Sequence, residues 1–334
     1  MLETKLQRWS APLIAVVAGL ALTGCGSTAP PTPPTGIETA FELPGDRVYP
    51  EGIALDERTG DIYVGSFADG TIYRAAPGAP RAEVFLPAGS DGRRTANGLR
   101  VDPDGRLWII DSTTGVTVYD LTTRALLARL DAVGPADRFL NDIALTPDGT
   151  AYLTDSRRAV VYRVTPDALT RAIAAGGHGE LTDSVDLNPS LEPHDPGAYT
   201  LNGIAADPTG SYLLTVDSTG GDLYRIDLTT PTAAVSKVTL DGGDLHLGDG
   251  LDLHDGTLRV AHNTDDTLSA WTVSPDGSSA TRTTGYHDEA LDTPTTLVHH
   301  SGHTLVVASQ FDKGGPLGPG SPTIAFRVLE ISGI

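Results

Sequence analysis

Short apolar runs separated by turn formers recur along this chain: YPEGIALDERTGDIYVGS, TANGLRVDPDGRLWIIDS, FLNDIALTPDGTAYLTDS, TLNGIAADPTGSYLLTVDS, LGDGLDLHDGTLRVAHN and DTPTTLVHHSGHTLVVAS. Each unit opens on a polar residue, usually followed by Gly or Asp, then an apolar pair, a tight turn and a second apolar run. Segments such as Ile53-Ala54-Leu55 and Asp61-Ile62-Tyr63-Val64 are of strand length, and the Asp-Pro-Asp-Gly type links between them supply the reversals. A third strand follows in several units, as in Thr71-Ile72-Tyr73-Arg74 and Val160-Val161-Tyr162-Arg163. The opening polar residues are Glu51, Asn97, Asn141, Asn202, Asp249 and Thr295, and they step by 46, 44, 61, 47 and 46 residues. Such a period belongs to a propeller blade. Six units give about 49 residues each, enough for four antiparallel strands. The sequence predicts an all-β, six-bladed β-propeller with four-stranded antiparallel blades, spanning residues 39–334.

Two places break the pattern. The last unit shows strands only at 295–300, 303–309 and 324–331, so Thr39 to Leu43 is expected to supply its fourth strand and close the ring, hiding two sheet edges. The step of 61 carries about fifteen extra residues, in GGHGELTDSVDLNPSLEPHDPG. With turn formers and no strand period, residues 177–198 read as a long loop over one face, either a lid or a surface excursion without function.

The composition, 38 Gly and 24 Pro in 334 residues, agrees with many turns and argues against a helical bundle. The formal net charge of −20, with no basic run to offset it, removes nucleic acid from the expected partners.

The N-terminus reads as an address. Lys5 and Arg8 precede an apolar stretch, Ala11 to Gly24, too short to span a bilayer as a helix but suited to a secretory signal. It ends in Leu22-Thr23-Gly24-Cys25, which resembles the bacterial lipobox, and Cys25 is the only Cys of the chain. The expectation is a signal peptide at 1–24, a lipidated Cys25 opening a Pro-rich tether at 25–38, and an extracytoplasmic protein anchored to the membrane through its lipid. The alternative is an ordinary signal peptide with a chance Cys. With Cys25 acylated no disulfide can form, and the domain, expected to be a monomer, holds by packing alone.

In a propeller the innermost strand of each blade lines the central channel, so Glu51, Asn97, Asn141, Asn202, Asp249 and Thr295 should gather near the axis. All six carry side-chain oxygen. Two carboxylates among amides in a narrow channel repel, or one holds a proton, unless a cation lies between them. Oxygen donors of mixed charge suit a divalent cation, calcium first, with magnesium or manganese as alternatives; zinc ordinarily recruits His or Cys. The competing reading is that Asn-Gly and Asp-Gly are turn dipeptides. The second strands end in Ser66, Asp111-Ser112, Asp155-Ser156, Asp217-Ser218, His262-Asn263 and Ser309-Gln310, and these side chains should ring the ion. His262 is the candidate proton shuttle, against the competing reading of a hydrogen-bonded structural histidine, and His246 is the second choice; His178, His194, His254, His287, His299, His300 and His303 read as turn or surface residues.

On these residues the chain resembles the gluconolactonase, regucalcin and luciferin-regenerating-enzyme family of six-bladed propellers over roughly residues 45–310. The likeness rests on the PEGIA opening, the Asn-Asp and Asn-Gly starts of the middle units and the Asp-Gly start of the fifth. It implies a catalytic divalent cation on Glu51, Asn141, Asn202 and Asp249, hydrolysis of a lactone or related ester, and Asp249 or His262 as the group that activates water. Asn97, Asp111, Asp155, Asp217, Arg138 and Thr295 are then expected around the substrate. Relatives that act on sugar lactones place an Arg close before the third-unit Asn; here Arg138 stands three positions ahead, which leaves sugar specificity without support. The competing class is a non-catalytic propeller lipoprotein that binds a ligand or partner, with a structural metal.

Overall fold

The computed structural model describes residues 36–230 and 232–334. The expected signal peptide, Cys25 and nearly all of the expected tether lie outside the described residues. Within the described residues the fold is a β-propeller of four-stranded antiparallel blades. Pro50–Asp56, Asp61–Ser66, Ile72–Ala75 and Glu83–Leu86 form one sheet, and Leu201–Ala206, Tyr212–Asp217, Asp222–Asp227 and Val235–Lys237 another. A third is made by Gly248–His254, Thr257–His262, Thr267–Val273 and Ser279–His287, with Thr239–Asp241 added in parallel at its outer edge. Two further sets of four merge into one eight-stranded sheet. These are Leu99–Val101 to Leu126–Ala132 and Leu140–Leu145 to His178–Asp186, and their outer strands pair in parallel from His178↔Arg129 to Leu181↔Ala132.

That pairing corrects the sequence expectation for 177–198. Its first half is a nine-residue strand, His178–Asp186, bonded to Val160–Val164 on one side and to the neighbouring repeat on the other. Only two of its nine residues, Leu181 and Val185, are buried, so the segment shows little apolar signal along the chain. Just before that segment lies an unforeseen helix, Pro166–Ala174, capped by Thr165, whose Oγ1 accepts from Ala168 N at 3.2 Å.

The final sheet is completed as expected by the chain's beginning: Ile37–Glu42 pairs antiparallel with Arg327–Ser332, beside His303–Ala308 and Pro294–His300. Inner and second strands such as Pro50–Asp56 and Tyr212–Asp217 are buried along their whole length, because both faces of each sheet pack on neighbouring sheets. The inner strands touch one another in sequence order round a ring, and Pro294–His300 touches Pro50–Asp56 to close it. Among the described residues no helix is long and apolar enough to cross a membrane.

Candidate functional site

The opening polar residues are aimed by a repeated backbone irregularity. In five inner strands the register slips by a bulge at the same place: between Pro50 and Ile53, Leu140 and Ile143, Leu201 and Ile204, Gly248 and Leu251, and Pro294 and Leu297. Each bulge brackets the keyed residue, and bulges commonly re-aim a side chain beside a functional site. The glycine that follows is there for close approach. A Cβ on Gly52 would stand 2.1 Å from the Asn97 carbonyl oxygen, and one on Gly203 2.2 Å from that of Asp249. A side chain at either position would push neighbouring inner strands apart. The turn-dipeptide reading of Asn-Gly therefore fails here, since Asn202 and Gly203 lie inside a strand.

Five of the six keyed residues, Glu51, Asn97, Asn141, Asn202 and Asp249, line one cavity of about 430 Å³. A larger surface cleft of about 590 Å³, beside Asp137 and Asp183, holds none of them. At the floor of the cavity the side-chain oxygens of Asn97, Asn141 and Asn202 are buried without a hydrogen-bond partner among the described residues. The orientation of Asn141 is fixed by its neighbours. Ser156 Oγ donates its hydrogen to the Leu201 carbonyl, so it accepts from Asn141 Nδ2 (3.0 Å), which leaves the Asn141 oxygen turned to the cavity. Buried acceptors left open cost on the order of 1–3 kcal/mol each, so three at one place call for a positively polarised occupant.

The carboxylates ask for the same thing. Burial first, then the nearby Asp249 and Asp142 charges, hold the Glu51 carboxyl well above the ordinary range, with Arg100 opposing. Burial, reinforced by Asp142, pushes Asp249 up to about 7 against hydrogen bonds from Asn263 and Asn202; Asn263 Nδ2 donates to its Oδ2 at 3.2 Å. Two carboxylates and three amide oxygens fit a hard divalent cation. Among the described residues no group of three or more His, Cys, Asp or Glu has metal-binding geometry, in keeping with a donor set completed by amides.

A proton balance follows. Unfolded carboxylates ionise near pH 4, whereas Asp249 in the folded protein does so at about 7. Without a cation the native state thus loses stability relative to the unfolded chain as the pH rises through that interval. In chelator, Asp249→Asn should gain on the parent protein between pH 4 and 7, reaching about 2–4 kcal/mol. Denaturant titrations of parent and variant at several pH values check this, and a constant difference across the interval would contradict it.

Other expected site residues go elsewhere. Thr295 is fully buried and donates from Oγ1 to the Glu51 carbonyl (2.9 Å), lacing two inner strands together. Asp111 accepts from Arg94 N (2.7 Å) and Thr113 N (3.1 Å), and Asp155 from Phe139 N (3.0 Å) and Tyr162 Oη (3.1 Å). Asp217 accepts from Gly220 N (3.1 Å) and meets His194 Nε2 at 2.6 Å. These three carboxylates organise the loops that follow their strands and do not line the cavity. His194, expected as a turn or surface residue, is anchored to a buried acid, with only 14% of its side chain exposed. Arg138 folds back on its own loop, donating to Pro135 O (3.0 Å), Gly134 O (2.9 Å) and Ala132 O.

His262 also lies off the cavity. Its Nδ1 donates to His246 O (2.9 Å) and its Nε2 accepts from Ser269 Oγ (2.7 Å), which in turn accepts from Trp271 Nε1 (2.8 Å). Both ring nitrogens are engaged, and burial keeps the ring neutral by lowering its pKa. His262 is a structural histidine with no nitrogen free to carry a proton. His246 does line the cavity: its Nδ1 donates to Thr219 O (3.2 Å), and its Nε2 has no hydrogen-bond partner among the described residues.

Several residues at the site were not foreseen. Asp142, a third buried carboxylate, occupies the phase that holds Gly in most repeats, a substitution visible in FLNDIAL. It accepts from Ile143 N (2.8 Å) and Ile204 N (3.2 Å), with Arg100 3.7 Å away. Phe67, Phe139, Tyr199, Phe311 and Leu317 also line the cavity, and all come from loops between strands.

Residues 51–309 match the SMP-30/Gluconolactonase/LRE-like region family. A gluconolactonase from Zymomonas mobilis is 27% identical over 185 residues, 50% of this chain; the match spans about half, 49%, of that protein's length. Among solved structures, a gluconolactonase from Xanthomonas campestris superposes with a TM-score of 0.60 at 15% identity, covering 89% of each chain. Regucalcin from Agrobacterium tumefaciens, described as a calcium-binding protein, gives 0.59 at 16% identity, over 89% of this chain and 96% of its own. These likenesses place the fold among such propellers, and the family match covers every keyed inner-strand residue from Glu51 to Thr295. The chain belongs to the SMP-30/Gluconolactonase/LRE-like family.

Proposed function

We propose that this protein is a divalent-metal-dependent hydrolase of lactones or related esters. The observation that carries the reading is the convergence, among the described residues, of three unpartnered amide oxygens and two buried carboxylates on the floor of one open cavity. Glu51, Asn141, Asn202 and Asp249 would hold the cation, calcium being the expected ion. When bound, it supplies polarisation of the substrate carbonyl and balances the buried carboxylates.

The chain's own groups then do the following. Asn97 flanks the reacting carbonyl from the same floor. His246, lining the cavity with Nδ1 anchored on Thr219 O, takes the proton from the attacking water on Nε2 and returns it to the leaving alkoxide. Asn263 steadies Asp249 from the side. The eight-stranded sheet counts as two blades in this reading, giving six about the axis, which the closed ring of inner strands supports.

Hydrolysis of a panel of lactones by purified protein, with calcium, manganese, zinc and chelator, tests the proposal. Inactivity with every ion would leave a binding propeller. Within that assay His246→Gln should lower kcat by about 10²-fold or more with little change in KM. His262→Gln should instead cost about 1–3 kcal/mol of stability and leave kcat/KM within about twofold. The reverse pattern would return the shuttle to His262.

We further propose that lipid on Cys25 anchors the protein outside the cytoplasm, on the strength of Leu22-Thr23-Gly24-Cys25 after an apolar stretch. Fatty-acid labelling lost in Cys25→Ala checks it.

A further inference from the structure

We infer that the cavity selects an uncharged lactone or ester carrying an apolar, preferentially aryl, substituent, and that Phe139 and Tyr199 determine this preference. The inference rests on the hydrolase reading for its reacting group, but its ligand class comes from the walls.

Those walls are two-sided. Phe311, Phe67, Phe139 and Tyr199 follow one another round the ring as a band of touching aromatic side chains. Phe67 is 5.4 Å from Phe311 and 6.3 Å from Phe139, and Phe139 meets Tyr199 edge-on at 5.2 Å. The band is assembled from loops far apart in sequence, all opening on the same cavity. Tyr199 is 50% exposed and Leu317 48%, so the mouth keeps large apolar groups in water, where a ligand would cover them. The remaining arc is mostly polar, with Ser218, Thr219, His246 and Asn263 beside Leu247. A ligand with a carbonyl head and an apolar tail fits that division: the head reaches the floor and the polar arc, and the tail lies on the rings.

Charge excludes the alternatives. No Lys or Arg lines the cavity among the described residues, while Glu51 and Asp249 lie at its floor. Arg157, next to the band, lies over the Tyr199 ring at 5.1 Å and donates to Asp137 (3.2 Å) and Gly197 O. Arg138 is folded onto its own loop. An anionic sugar acid would meet no cation from the chain, and a polyhydroxylated ring would press several hydroxyls against aromatic faces that offer them no partner.

The test pairs hydrolysis with binding, using the full chain in calcium. Phenyl-substituted and polyhydroxylated δ-lactones are compared as substrates, and the matching δ-lactams, which resist hydrolysis, as ligands by calorimetry. The phenyl lactone should show a kcat/KM at least about tenfold higher, and the phenyl lactam should bind correspondingly tighter. Tyr199→Ala should cut the phenyl-to-hydroxylated ratio by about 3- to 10-fold; because Tyr199 is half exposed, this variant should fold even if Phe139→Leu, its companion, does not. Equal or better handling of the hydroxylated compounds, no lactam binding, or a ratio unmoved by Tyr199→Ala would overturn the inference. Preferential binding of the phenyl lactam without hydrolysis of any lactone would uphold it while removing the hydrolase reading.

Discussion

If calcium binds as proposed, Glu51→Gln and Asp249→Asn should each lower lactone hydrolysis in calcium by about 10²-fold or more and abolish the rise in Tm expected from calcium in the parent protein. Both substitutions keep shape and remove one charge, so the cavity floor stays oxygen-lined but loses half of its carboxylate. The two readouts separate a lost cation from a lost fold. In chelator the variants should be at least as stable as the parent near pH 7, since each removes a buried group whose ionisation is opposed by burial and by neighbouring acids. Stability without the ion and activity with it thus move in opposite directions. A variant that keeps a full calcium-induced shift, measured by scanning calorimetry, would take that residue out of the donor set.

Removal of the closing strand should have the largest effect on the fold itself. Ile37–Glu42 is the fourth strand of the last sheet, and just beyond it Leu43 N donates to Phe326 O (2.8 Å). Phe41 and Leu43 are buried among Val48, Tyr49, Phe311, Phe326 and Val328, where the last sheet packs on the first. A chain beginning at Pro44 loses that pairing, exposes the edge of Arg327–Ser332 and leaves a hole in the cluster. It should unfold at markedly lower denaturant concentration and self-associate. Phe41→Ala alone should cost about 3–5 kcal/mol, whereas Glu38→Ala, on an exposed position, should stay within about 0.5 kcal/mol. Denaturant melts and size-exclusion chromatography check all three; an unchanged midpoint for the shortened chain would mean that the ring closes without it.

The two predictions address features that differ in how far the chain announces them. The closing strand was expected from counting strands, because a sheet one strand short needs a partner. The ring of oxygens was expected from phase, since Glu51, Asn97, Asn141, Asn202, Asp249 and Thr295 share one register of the repeat, whereas the choice of Glu51, Asn141, Asn202 and Asp249 as donors was implied by the family resemblance. Asp142 was overlooked because it replaces a glycine in that register, and only the packing of Leu201–Ala206 against its strand shows its carboxylate accepting from Ile204 N. His262 was misassigned because a strand end places its backbone near the cavity, while Ser269 and the His246 carbonyl, which hold both ring nitrogens, are contributed by other segments.

The repeat alone determined the β-propeller class, the turns and which residues share the inner phase, because strand period and turn chemistry are local and act within a few residues. Tertiary structure decided which of those residues reach the cavity, that Asp111, Asp155 and Asp217 serve loop geometry, that His178–Asp186 bridges two repeats, and that four aromatic side chains form one wall. Each of these depends on where a bulge turns a side chain, or on a partner dozens of residues away, and no local pattern carries that distance.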